Sequence, residues 1–267
     1  MPKTTEKEKD EAADRTRLSV PAIYEIVSQE GRTEMARPVT SLFWSGLAAG
    51  LSLSFSLLAQ AILYRHLPDA PWRSLVSDAG YTVGFLMVIL GRQQLFTENT
   101  ITVILPLFAD FNRRTLFLTA RIWGVVLGAN ILGTLCAALF CTYGPAVGDE
   151  VRSTMLELSR HGLAHGWWEM LFRGISAGFL IAALVWLLPS AEGNEFHVIL
   201  LMTYLIAAGE FTHIVAGSVE GFMLVLAGEW NWLHLLTHFG IPVLIGNSIG
   251  GTALFSVLSY GQVMEEV

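Results

Sequence analysis

The sequence predicts an all-α membrane protein of six transmembrane helices, arranged as two inverted three-helix repeats with helices 2 and 5 broken. Three observations carry this. Hydrophobic residues make up 53% of the 267-residue chain and charged residues only 15%, too apolar for an ordinary soluble domain. Six hydrophobic stretches follow one another, each long enough to cross a hydrocarbon core about 30 Å thick. Two of them, the second and the fifth, are overlong and interrupted by polar residues that follow a Phe-Thr pair, Phe96-Thr97-Glu98 and Phe211-Thr212-His213.

The elements follow in order. Residues 1–40 read as a cytoplasmic arm, mixed in charge and flexible over Met1–Arg17, with a short amphipathic helix after it. Val20, Ile23, Ile26 and Val27 give that helix its apolar spacing, Ser19 is its N-cap, and Pro21 stands in its first turn. It lies on the membrane surface or on the protein's own cytoplasmic face. A first repeat covers 41–141. Its spans are Leu42–Leu63, the broken Gly80–Phe108, and Leu116–Cys141. A connecting loop spans 142–166. The second repeat, 167–261, holds Trp167–Leu188, the broken His197–Leu226, and Leu235–Tyr260, with a tail at 262–267. Aromatic residues such as Trp44, Tyr64, Trp72, Trp167, Trp230 and Tyr260 fall at the span borders, where amphipathic rings favour the headgroup level.

Polar backbone at membrane depth persists only where protein or a water-filled cavity covers it. The two broken segments are therefore expected to be half-helices joined by a loop facing a pore, with Gly217 supplying a sharp turn. Ionisable groups at that depth cost roughly 2.5–3.5 kcal/mol each to insert and mark a site by default. The Phe-Thr match makes Glu98 the counterpart of His213. Two such breaks point to a transporter or channel with a midplane pore. The repeat recurs in the packing residues. Gly46-x-x-x-Gly50 matches Gly174-x-x-x-Gly178, and Asn130-x-x-Gly133 matches Asn247-x-x-Gly250. Small residues at this spacing let helices approach closely. Each unit has an odd number of crossings, so the second copy is upside down.

Charge orients the chain. Seven of the 16 Lys and Arg precede Pro38, and Arg113-Arg114 follow the second span, which puts both termini inside. The net charge of −7 comes without a basic patch, so nucleic acid is not a partner. No P-loop, dinucleotide motif or nucleophile elbow occurs, so the expectation is no enzyme and no cofactor. Cys136 and Cys141 read as small packing residues. His234 and His238 stand four apart but lack a third ligand, so no metal is expected. Glu210 reaches either the same vestibule as His213 or a local loop bond. Glu169 and Glu220 are assigned to membrane interfaces, and Arg92 and Arg121 to pairing with neighbouring acids or snorkelling.

Four motifs in order give the chain a family resemblance. They are Leu95-Phe96-Thr97-Glu98-Asn99, the segment Arg173-Gly174-Ile175 through Trp186, Phe211-Thr212-His213 with Ala216-Gly217, and Gly246-Asn247-Ser248-Ile249-Gly250-Gly251. Over about residues 20–262 the chain resembles the formate/nitrite transporter family, in particular a divergent group of bacterial inner-membrane proteins within it. The resemblance implies an aquaporin-like protomer in a homopentamer, embedded in the bacterial inner-membrane bilayer, with one pore per subunit. It implies passage of small monovalent anions or their weak acids: formate, nitrite, hydrosulfide, short carboxylates. Carried over by position, Leu95, Phe96 and Thr97 form the pore loop, flanked by Glu98 and Asn99, and His213 is the central protonatable group. Tyr81 and Ile206 form an apolar constriction with Phe85 and Ile181 beside it. The chain departs from the family at Glu98, Thr212, Gly178 and Gly217, and near Gly162, where the family carries a lysine. Two other readings stay open: a pore of altered selectivity, for a neutral solute or a cation, because of Glu98, and a non-transporting membrane scaffold. In the altered-selectivity reading Glu98 faces His213 and shares a proton with it; otherwise Glu98 caps the second half-helix.

Overall fold

The computed structural model describes residues 17–266. The remainder of the expected N-terminal arm lies outside the described residues. Within them the chain is helical, with no strand. Ten helical elements run α1 Val20–Ala36, α2 Val39–His66, α3 Arg73–Leu90, α4 Asn99–Ala109, α5 Arg113–Tyr143, α6 Asp149–Gly162, α7 Trp167–Ala191, α8 Glu195–Ala208, α9 Ile214–Leu226 and α10 Trp232–Gly261. Five of them, α2, α3, α5, α7 and α10, are long and apolar enough to cross a membrane. The shorter α4, α8 and α9 complete the two broken segments.

Local chemistry sets the ends. The Ser19 hydroxyl accepts the Ala22 N–H at 3.3 Å and Pro21 follows, so α1 starts where the sequence places it. Its apolar face, Tyr24 and Val27 above all, is buried against Ile101, Leu105, Ala182 and Val185. Of the two placements open to α1, the protein's own surface is the one adopted. Arg121 fixes the end of α1, donating to the Met35 carbonyl at 2.7 Å and the Arg37 carbonyl at 3.3 Å; among the described residues it pairs with no acid. Residues 142–166 are more than a loop. They contain α6, which has Asp149 and Glu150 in its first turn and buries Met155, Thr154 and Ser159. Its charged outer face hides the helical period from an apolar count. Pro242 lies in α10, directly after a π-helical turn at Leu235–Gly240; a ring without an N–H there displaces the hydrogen-bond register.

Packing follows the repeated small residues. The helices of α2 and α5 meet at Gly50 and Gly133, and those of α7 and α10 at Gly178 and Gly250. At each of these glycines a Cβ would run into the facing helix backbone. The second half-helices then cross over, α9 onto α5 and α4 onto α10. Hydroxyls fasten both crossings: Thr134 to Ser218 at 2.8 Å, and Thr252 to the Thr100 carbonyl at 2.8 Å. Gly217 makes no sharp turn. It is helical within α9, and a Cβ there would meet the Phe239 ring at 2.8 Å, so it serves close packing.

Candidate functional site

The two breaks have the same backbone construction. Helix α3 stops after Leu90, Gly91 follows, and Arg92 takes the left-handed conformation at φ 49°. Helix α8 stops after Ala208, Gly209 follows, and Glu210 takes φ 50°. In each case the next N–H reaches back five residues down the helix to close it: Gln93 to the Val88 carbonyl and Phe211 to the Ile206 carbonyl, both at 2.9 Å.

One asparagine then braces each loop. The Asn130 amide nitrogen donates to the Gly46 carbonyl at 2.8 Å and the Gln94 carbonyl at 2.9 Å, while its oxygen accepts the Phe96 N–H at 2.9 Å. The Asn247 amide nitrogen donates to the Gly174 carbonyl at 2.8 Å and the Thr212 carbonyl at 3.0 Å, while its oxygen accepts the Ile214 N–H at 2.8 Å. Both asparagines are fully buried, so every bond replaces one that water would otherwise supply. Sequence reading assigned them to helix packing; they also hold the non-helical backbone. This register corrects the Phe-Thr match. Phe96 corresponds to Ile214, and the counterpart of His213 is Leu95, not Glu98.

His213 begins α9 and caps it. Its Nδ1 accepts the Ala216 N–H at 3.2 Å, which assigns the imidazole proton to Nε2. Nε2 lies 2.8 Å from the Thr97 hydroxyl oxygen and donates to it, leaving the hydroxyl proton free for another acceptor. The Phe85 ring meets the imidazole edge-on at a centroid distance of 5.2 Å, and Tyr81 stacks on Phe85 at 5.3 Å. Phe85, Ile181, Leu95 and Thr97 are fully buried, and Phe96 turns outward onto Trp123.

Two cavities approach this layer from opposite ends. The first, about 590 Å³, is lined by Asp78, Tyr81, Ile206, Glu210, His213 and Glu220 among others. The second, about 520 Å³, is lined by Glu30, Arg92, Gln94, Glu98, Asn99 and Ile199 among others. No residue lines both. Leu95, Phe96 and Thr97 line neither; with Phe85 and Ile181 they belong to the closed layer between the cavities. Glu98 and His213 open on different cavities, so they do not share a proton. Glu98 stands at the start of α4 but makes no side-chain capping bond.

Glu220, assigned to a membrane interface from the sequence, lines the first cavity. Its position seven residues beyond His213 on one helix, two turns along the same face, was the available signal. At the mouth of that cavity Arg173 bridges Glu169 at 3.0 Å and Glu210 at 3.1 Å, and His161 and His165 lie 3.3 Å and 3.6 Å from Glu210. Arg160, on α6, makes a two-pronged bond to Glu229 at 2.8 and 2.7 Å. That bond holds the Glu229 carboxyl below its ordinary range and raises the guanidinium of Arg160 further. Arg92 pairs with Glu30 of α1 at 3.0 Å. His234 and His238 stack on each other at 4.6 Å beside Trp230.

Comparison with known proteins follows the same outline. A family model described as formate/nitrite transporter matches residues 21–261. The chain is 41% identical over 254 residues to "Inner membrane protein YfdC" of Escherichia coli (strain K12), covering 95% of this chain and 82% of that one. It is 26% identical to "Formate channel FocA" of Haemophilus influenzae, covering 83% and 86%. A solved pentameric formate channel with formate bound superposes with a TM-score of 0.74 at 18% identity, over 85% of this chain and 98% of that one.

Proposed function

The chain belongs to the formate/nitrite transporter family, and from that premise we propose that each protomer passes small monovalent anions, or their weak acids, through a pore centred on Thr97 and His213. Formate, nitrite, hydrosulfide and short carboxylates are the solute class. The architecture of this reading is six crossings in two inverted three-helix repeats, an aquaporin-like protomer, assembled as a homopentamer in the inner membrane with both termini in the cytoplasm. The paired braces of Asn130 and Asn247 support the repeat.

One observation carries the functional reading: the Thr97 hydroxyl oxygen accepts the His213 Nε2–H, which leaves the hydroxyl proton as an oriented donor in an apolar layer between two cavities. A bare anion loses several kcal/mol of hydration on entering such a layer. Donors fixed in place replace part of that hydration shell, and protonation of the solute removes the remaining charge. His213 orients the Thr97 hydroxyl toward the solute, and it can pass its Nε2 proton to the solute only as Nδ1 takes up another proton from the first cavity and releases the Ala216 N–H. The positive end of α9, which begins at His213, adds to the attraction.

Stopped-flow flux in proteoliposomes tests this. Formate, nitrite, acetate and hydrosulfide would be run against urea, ammonium and potassium at several pH values. Weak-acid flux that rises as pH falls and collapses in His213→Ala is the expected result. Absence of weak-acid flux in the wild type at every pH overturns the reading.

A further inference from the structure

Burial marks the inner end of the first cavity. At its mouth the side chains of Arg160 and Glu210 are 53% and 45% exposed, whereas His213 and Phe239, on the same wall, are each 1% exposed. Phe239 stands on one particular face of α9. His213, Gly217 and Glu220 follow one another at i, i+4 and i+7, so they look the same way, and all three line this cavity. The Phe239 ring fills the place of the side chain that Gly217 lacks: a Cβ there would lie 2.8 Å from both Cε2 and Cζ. The ring edge therefore sits one turn beyond His213, with Tyr81 and Ile206 on the same apolar wall.

A wide turn of α10 puts the ring there. Phe239 lies in the π-helical turn Leu235–Gly240, and a second such turn follows at Ile249–Ser256. The repeat shows what these turns do. Trp123 packs on the second half-helix of the first repeat, donating to the Asn99 carbonyl at 3.0 Å, and Asn99 and Gly217 are equivalent in the register set by Phe96 and Ile214. Phe239 stands 116 residues after Trp123, Asn247 stands 117 after Asn130, and Thr252 stands 118 after Thr134. Helix α10 has thus gained one residue over α5 at each π-helical turn. Trp123 lines neither cavity; Phe239, its counterpart, lines the first. Such turns are rare and recur at functional sites.

The Thr97 hydroxyl proton takes the polar head of a solute in the central layer. The rest of a solute entering from the first cavity trails back past His213, where the next side chain on that face is the Phe239 ring. Formate has nothing to trail. Each added methylene brings the tail further into the space the ring occupies.

We propose that Phe239 is the size-determining residue of the first cavity, setting how long an apolar tail a carboxylate can carry into the pore. This deepens the reading above and rests on it.

The test reconstitutes wild type, Phe239→Ala, Phe239→Leu and Gly217→Ala in proteoliposomes. Uptake of formate, acetate, propionate and butyrate is followed with an internal pH dye, and the rate in protein-free vesicles is subtracted. The readout is the butyrate-to-formate ratio, which a general loss of folded protein leaves unchanged. Wild-type uptake should fall steadily from formate to butyrate. Phe239→Ala should raise the ratio at least about tenfold, and Phe239→Leu should raise it less. Gly217→Ala should act the opposite way. Its Cβ forces the ring to move, and the cavity is the space beside it, so acetate and longer acids should lose at least about threefold relative to formate. A wild type that takes up butyrate as fast as formate overturns the proposal. So does Phe239→Ala, or Phe239→Leu and Gly217→Ala if the alanine variant fails to insert, with the wild-type ratio. A wild type with no uptake of any of these acids at any pH overturns the parent reading and this one with it; uptake with an unmoved ratio overturns this one alone.

Discussion

The Thr97 hydroxyl and His213 Nε2, from opposite halves of the chain, lie 2.8 Å apart in the closed layer. With Nδ1 already occupied by the Ala216 N–H, the imidazole can only donate to Thr97. Thr97→Val keeps the side-chain shape and removes both the acceptor of Nε2–H and the hydroxyl donor. A buried donor left unmatched costs about 1–3 kcal/mol. The expected result is a weak-acid flux about ten- to a hundredfold below wild type with protein yield unchanged, and Thr97→Ser should restore most of it. Stopped-flow rates of the two variants, side by side, check this.

The asparagine braces are a stability matter before they are a transport matter. Asn130→Ala orphans the Phe96 N–H and the Gln94 carbonyl and removes a second bond from the helical Gly46 carbonyl, and Asn247→Ala does the same to Ile214, Thr212 and Gly174 in the other half. At about 1–3 kcal/mol for each buried unsatisfied group, both changes should be severely destabilising. Thermal unfolding in detergent should show a marked drop for each. A drop no larger than that of an exposed surface substitution would mean the loops hold themselves.

Arg92 and Glu210 share the same left-handed backbone and should respond oppositely to glycine. Relief of the strain is worth about 0.5–1 kcal/mol. Arg92 gives up only an exposed ion pair with Glu30, so Arg92→Gly should be neutral or stabilising. Glu210 gives up its bonds to Arg173 and His161, so Glu210→Gly should be destabilising. Melting temperatures of the two variants, read together, decide between them.

Acid should loosen α6 through Glu229. Its carboxyl is held below the ordinary value of 4.5 by the Arg160 hydrogen bonds, so the folded form binds its proton less readily than the unfolded one. The stabilisation is therefore present above about pH 4.5 and fades as pH falls through the lower folded value. Both side chains are partly exposed, so the effect stays within about 1 kcal/mol. Glu229→Gln should remove that part of the acid dependence and leave stability at pH 3 close to wild type, as a thermal-shift series from pH 3 to 7 would show.

The spans were legible because membrane crossing needs long apolar runs, and the expected borders of the first, Leu42–Leu63, fall inside the observed Val39–His66. Ser19 and the asparagine–glycine pairs were legible because their roles depend on residue type. The register of the breaks was not. Phe96-Thr97 and Phe211-Thr212 agree by letter, whereas the repeat is carried by backbone groups, the N–H of Phe96 and of Ile214, which any residue supplies. That is why Glu98 was set against His213 although it opens on the other cavity. Helix α6 was missed because most of its surface is charged, and Glu220 because an acid in a short apolar run reads as an end until the helix continues past it.

The two braces also bear on how the molecule is made. All groups bonded by Asn130 lie between Gly46 and Asn130 itself, so the first loop can take its shape while the rest of the chain is still on the ribosome. The second loop waits for Asn247 on α10, which is made well after the first loop has its brace. The Thr97–His213 contact, which needs both loops in shape, therefore depends on α10 as well as on the two helices that carry the pair.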